Sequence, residues 1–108
     1  MFKFMLIFFH PEDIVSFENR YQDLLALVER MPEITRRQVI HITGSPVGPS
    51  PYYRILEVYY ADQDAMNRSL LSPAGQEAGG EIQKFPANSF EMAFAEVYEE
   101  EGGFTPPA

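Results

Sequence analysis

The chain predicts one α+β domain in which two helical regions cover one face of a four-stranded antiparallel sheet, and three observations lead there. Runs rich in β-branched and aromatic residues stand at Phe2 to Phe9, Arg36 to Thr43, Tyr52 to Tyr60 and Phe90 to Tyr98. Segments with apolar residues at helical spacing separate the first run from the second and the third from the fourth. The middle two runs are joined only by a loop of glycine, serine and proline, which forbids regular pairing across it.

Phe2 to Phe9 is the first strand, and it is apolar on both sides. Phe2, Phe4, Leu6 and Phe8 point one way and Lys3, Met5, Ile7 and Phe9 the other, so both faces must be covered, as in a central strand. The run is too short to span a bilayer and lacks the small-residue pattern that follows a signal segment. Asp13 then caps a helix whose apolar face is Phe17, Tyr21, Leu24, Leu25, Val28 and Met31, ending near Pro32. Glu12, Glu18, Asn19, Gln22 and Glu29 are expected on its solvated side.

Val39, Ile40 and Ile42 mark the second strand, and Gly44-Ser45-Pro46 with Gly48-Pro49-Ser50-Pro51 forms a long hairpin loop. The third strand alternates Tyr53, Ile55, Glu57 and Tyr59 on one face with Arg54, Leu56, Val58 and Tyr60 on the other. Asp62 caps the next helix, and Ser72-Pro73 restarts it as a fresh cap followed by proline at the first helical position. Gly75, Gly79 and Gly80 weaken the restarted half, which keeps Ile82 and Phe85 as its apolar edge. The order strand, helix, strand, strand, helix, strand is the split β-α-β pattern of a ferredoxin-like sandwich. Its strands are apolar on both sides, so the sheet face without helices is expected to meet the same face of a second copy, giving an isologous dimer that closes into an α-β barrel.

With 108 residues the chain suits one domain, predicted over 1–98, with 99–108 as an acidic tail containing glycine and proline whose Phe104 can dock on a partner subunit. Sixteen acidic against eight basic residues give a net charge of −8, which repels nucleic acid and anionic membrane surfaces. The absence of cysteine removes disulfides, thiolate nucleophiles and thiolate metal sites, and cytoplasm is the expected compartment. The serines lack a nucleophile-elbow context and the loop glycines lack phosphate-cradle spacing, so turns and caps explain them.

Thr43 to Gly80, TGSPVGPSPYYRILEVYYADQDAMNRSLLSPAGQEAGG, resembles the EthD-like family in its glycine-proline hairpin, its strand Tyr53 to Tyr60 and its Ser72-Pro73-Ala74-Gly75-Gln76 helix restart. The likeness extends to His10-Pro11-Glu12-Asp13, the Phe17 and Tyr21 pair, Met31-Pro32 and Phe94-Ala95-Glu96-Val97. It implies a dimeric α-β barrel, a superfamily that includes cofactor-independent monooxygenases, isomerases, cyclases and dehydratases. EthD itself is an accessory component of ethyl tert-butyl ether degradation, so the resemblance implies a ligand-binding role as readily as an enzymatic one. Many EthD-like proteins carry a histidine in the first helix, where this chain reads Tyr21-Gln22-Asp23-Leu24-Leu25.

That departure leaves His41 and Glu57, on neighbouring strands, as the candidate acid-base pair, with Tyr21, Arg37, Tyr59 and Phe94 as candidate ligand-binding residues. The packing alternative has His41 making polar contacts at a strand end, Glu57 pairing with Arg37 or Arg54, and the tyrosines filling an interface. Nothing in the spacing of His10, His41 and Glu57 enforces a metal site, and neither a metal nor a cofactor is expected. The expected function is a homodimer that binds a small apolar molecule as an accessory factor in catabolism or secondary metabolism. The alternatives are a cofactor-independent lyase, isomerase or monooxygenase using His41 and Glu57, and an oligomerisation module without a ligand.

Overall fold

A computed structural model of the chain describes residues 1–102; Phe104 and the rest of the predicted tail beyond Gly102 lie outside the described residues. The elements are β1 (Phe2–Phe9), α1 (Ile14–Val28), β2 (Arg36–His41), β3 (Tyr52–Tyr60), α2 (Gln63–Leu71), α3 (Pro73–Ile82) and β4 (Phe90–Glu96). The strands form one antiparallel sheet in the order β2-β3-β1-β4. This is the predicted ferredoxin-like arrangement, and it makes β1 and β3 the central strands, as their two-sided apolar character requires.

The register assigns every strand residue to a face, because residues paired directly across an antiparallel ladder project to the same side. Leu6 pairs with Leu56 and with Met92, and Phe8 with Arg54 and with Phe90. These residues face the helices, where Leu6, Phe8, Phe17, Tyr21, Leu24, Leu56 and Phe85 belong to one buried core. Phe8 is its centre, with ring centroids 5.0 Å from Phe17, 4.9 Å from Phe85 and 5.8 Å from Tyr21. On the other face Met5 pairs with Glu57 and Ala93, and Ile7 with Ile55 and Glu91. Among the described residues no helix covers that side.

The predicted alternation of β3 fails at one residue. The ladder with β1 shifts between Phe8 and Phe9, so that Phe8 pairs with Arg54 but Phe9 with Tyr52. The extra residue of this bulge is Tyr53, which leaves the face of Ile55 and packs edge-on against Phe17 at 5.3 Å, on the helix side. The same region corrects the expectation for Glu18, which is not merely solvated: it receives the Arg54 guanidinium at 2.9 Å.

Helix α1 starts where its cap predicts, with the Ser16 N–H donating to the Asp13 carboxylate at 3.1 Å, but it ends at Val28 rather than near Pro32. The Arg30 and Met31 N–H groups reach back only three residues, to Leu27 and Val28, which tightens the chain into a turn while Met31 stays buried. Strand β2 ends at His41 rather than Thr43, and β4 at Glu96 rather than Tyr98.

The broken second helix is two helices sharing Ser72, which closes α2 and caps α3 by accepting the Gly75 N–H at 3.1 Å. Gly75 is required by a close approach, since a Cβ there would stand 2.3 Å from the Ser69 carbonyl oxygen and 2.5 Å from that of Leu70. Ser69 is itself fixed from the sheet through a 2.9 Å hydrogen bond between its hydroxyl and that of Tyr60.

Candidate functional site

A cleft of about 560 Å³ opens between the helix-side face of the sheet and helices α1 and α3. Phe4 and Leu6 of β1, Leu56 and Val58 of β3, and Met92 and Phe94 of β4 form its floor. Leu24 and Val28 of α1 form one wall, and Gln76, Gly79, Gly80 and Gln83 on and just after α3 form another. The cleft exists because α3 presents so little side chain there: a Cβ at Gly79 or Gly80 would meet nothing within 4 Å. Met92 and Phe94 therefore stay 51% and 65% exposed although they face the helical layer. The polar side chains among the lining residues are the amides of Gln76 and Gln83, and none of the lining side chains is titratable.

The six predicted site residues do not converge. Phe94 lines the cleft, its ring 5.9 Å from that of Phe4. Glu57 and Tyr59 lie on the face without helices, where the Lys3 ammonium donates to Glu57 at 2.6 Å and the Tyr59 hydroxyl stands 3.2 Å from the carboxylates or amide oxygens of Glu57 and Gln38. The Arg36 guanidinium sits over the Tyr59 ring at 4.2 Å. His41 pairs with Arg54 and so belongs to the helix-side face, at the exposed end of β2. The expected meeting of His41 with Glu57 is therefore corrected: the partner of Glu57 on β2 is Gln38, and His41 projects to the opposite side. Arg37 lies at the sheet edge within 3.6 Å of Glu29. His10 holds the Ser50 carbonyl at 2.8 Å, and no group of three or more His, Asp or Glu side chains is set to hold a metal ion among the described residues.

Tyr21 occupies the core one helical turn before Leu24. The Arg54 guanidinium lies over its ring at 4.7 Å, and its two terminal nitrogens reach Glu18 at 3.1 and 2.9 Å. Burial pushes the Tyr21 phenol up to about 12, with a smaller opposing pull from Arg54. The hydrogen bond from Arg54 holds the Glu18 carboxyl below its ordinary value, against a partial desolvation cost. Sequence reasoning missed the Glu18–Arg54 pair and the glycine wall; the adjacent glycines within a helical pattern were the available signal for the latter.

No family model matches the chain. An ethyl tert-butyl ether degradation (EthD) family protein from Bacillus halodurans has a similar structure, with a TM-score of 0.85 and 26% identity, over 91% of this chain and 99% of that one. The chain is EthD-like. An uncharacterized 11.0 kDa protein encoded in the thcB-thcC intergenic region of Rhodococcus erythropolis is 22% identical to this EthD-like chain over 97 residues, 89% of the chain and 94% of that protein. Two structures share the fold alone. A dimeric ferredoxin-like protein from Jannaschia sp. is 17% identical over 90% of this chain and all of its own, with a TM-score of 0.68. SnoaB, a cofactor-independent oxygenase from Streptomyces nogalater, is 15% identical over 93% of this chain and 95% of its own, with a TM-score of 0.66. Against this background the EthD-like chain meets its cleft from α1 with Leu24 and Val28, and offers no histidine there.

Proposed function

We propose that the EthD-like protein is a homodimer that binds one small, mainly apolar organic molecule in the cleft of each protomer, as an accessory factor in catabolism or secondary metabolism. The observation that carries this reading is the cleft itself. Its volume of about 560 Å³ falls within the range of small-molecule sites, and apolar walls with a few amides suit a ligand held by burial rather than by charge. The lack of a titratable lining group favours binding over acid-base turnover. An oligomerisation module alone has no use for an open cleft behind its interface. The oxygenase activity of SnoaB belongs to a protein that shares only the fold, and the opposite placement of His41 and Glu57 gives that alternative no pair to work with.

The dimer follows from the bare sheet face, where Met5, Ile7 and Ile55 are only half-buried in one protomer. An isologous contact would bury them, and the Jannaschia protein, a dimer that shares this fold, supports a dimeric state. Sedimentation equilibrium is expected to give the mass of two chains, and Ile7→Asp to give one.

The cleft is tested with the neutral probe N-phenyl-1-naphthylamine, whose fluorescence should saturate at one molecule per protomer. Gly79→Leu places its side chain in the open space and should weaken binding roughly tenfold or more. Undiminished affinity in a folded Gly79→Leu dimer would remove the cleft as the site.

A further inference from the structure

We infer that Met92 is an oxidation switch for the cleft: a hydroperoxide, hydrogen peroxide being the simplest, converts its thioether to the sulfoxide, and the cleft then releases its apolar ligand. The inference rests on the cleft being a ligand site and adds how that site is controlled. The chain has five methionines, and the fold treats them differently. Met66 is 1% and Met31 8% exposed, so both are shielded within the core. Met5 lies on the sheet face without helices, half-buried before a second protomer covers it. Met1 is exposed but is not among the residues that line the cleft. Met92 is 51% exposed and lines the cleft floor, so it combines access for an oxidant with a place in the site.

Two features of the fold keep Met92 open. It stands on β4, at the edge of the sheet, and its pairing with Leu6 sets it on the helix side. Above that side α3 lines the cleft with Gly79 and Gly80, where even a Cβ would meet nothing within 4 Å. The proposed dimer forms on the other face of the sheet and leaves Met92 accessible.

The thioether sulfur attacks the terminal peroxide oxygen: an S–O bond forms, the O–O bond breaks, and the proton of the transferred oxygen passes to the departing one. Sulfur loses two electrons and the peroxide is reduced to an alcohol, or to water when it is hydrogen peroxide. No charge is created, but an apolar side chain becomes a hydrogen-bond acceptor. In the empty cleft water satisfies the new oxygen, so the fold is kept. An apolar ligand has to strip that water away and offers no hydrogen bond in return. The polar side chains of the lining, the amides of Gln76 and Gln83, stand on and just after α3 rather than on the floor beside Met92. A methionine sulfoxide reductase restores the thioether at the expense of a thiol, which is oxidised to a disulfide while the oxygen leaves as water.

The test treats the dimer with hydrogen peroxide and removes the oxidant. Peptide mass spectrometry then follows the oxygen gained at each methionine, and a fluorescence titration gives the affinity for N-phenyl-1-naphthylamine. Met92 should be oxidised well before Met31 and Met66, and affinity should fall about tenfold or more while the melting temperature is retained. Naphthylamine present during treatment should slow oxidation of Met92 and not of Met1. Methionine sulfoxide reductase should restore the affinity. In Met92→Leu, a volume-conserving change, treatment should shift affinity by less than about twofold from that variant's own untreated value. Met92→Gln, which sets a polar group of similar length on the floor, should bind weakly without any treatment. Full oxidation of Met92 with affinity unchanged would overturn the inference and leave the cleft reading standing. An equal loss in treated Met92→Leu would overturn it as well, by placing the responsible group elsewhere. A melting temperature that collapses together with affinity would do the same, since the damage would then be to the fold. If untreated wild type fails to bind the naphthylamine, the cleft reading falls and the inference falls with it.

Discussion

His41 and Glu57 stand on adjacent strands yet on opposite faces of the sheet, because Glu57 is paired with Gln38 and His41 with Arg54. His41 lies three positions after Gln38, and along a strand an odd step reverses the side chain. Glu57 is consequently committed to Lys3 and Tyr59 on the face without helices. His41 remains exposed on the other side.

His41→Ala is therefore expected to change little. We predict that probe affinity and its pH dependence between about pH 5 and 8 match wild type, with stability within about 0.5 kcal/mol, as for an exposed side chain away from the core. Titrations across that range check this. A displaced midpoint in the variant would restore a role for the imidazole.

Glu57 behaves in the opposite way. It is 5% exposed, and Lys3 is the cation within reach of it. Lys3→Met leaves a buried carboxylate without a charged partner and should cost about 3 kcal/mol in denaturant unfolding, whereas Lys3→Met with Glu57→Leu should recover most of that loss. The hydrogen bond to Glu57 raises the pKa of Lys3 above its ordinary 10.5, against a smaller effect of burial. A raised lysine stabilises the fold fully below pH 10.5, and the contribution disappears as pH climbs through the folded value. Alkaline unfolding should accordingly be less steep in the double variant.

Acid acts through Glu18, whose carboxyl is held low chiefly by the hydrogen bond from Arg54. A depressed carboxylate contributes stability above its ordinary 4.5 and loses it as pH falls through the folded value. Glu18→Gln should lower stability at neutral pH and flatten the decline below pH 4.5, measured as midpoint against pH. Parallel slopes in the two proteins would contradict the pairing with Arg54.

Gly75→Ala sets two effects against each other. Alanine favours a helix by about 1 kcal/mol over glycine, but its Cβ would stand 2.3 Å from a backbone oxygen at the end of α2, and the backbone cannot yield as a side chain does. Overpacking of this kind costs about 1–3 kcal/mol, so net destabilisation is expected. Gly79→Ala, with open space around its Cβ, should instead be neutral or stabilising. Thermal unfolding of the two variants side by side separates the cases.

The elements and their order are legible in the chain because those signals are local. Asp13, Asp62 and Ser72 cap the helices they were expected to cap, Pro73 opens α3, and the two-sided apolar runs of β1 and β3 are the central strands. Which side chains meet follows only from how the strands pair and the helices pack. Strand register is set by segments far apart in the chain, and a single-residue shift exchanges the faces, as the bulge does for Tyr53 and as the pairing of Gln38 does for His41. The Glu18–Arg54 pair spans a helix and a strand 36 residues apart, and the cleft depends on glycines of α3 lying opposite an edge strand. Neither relationship leaves a local pattern, because side chains distant in sequence are brought together only when the helices pack on the sheet.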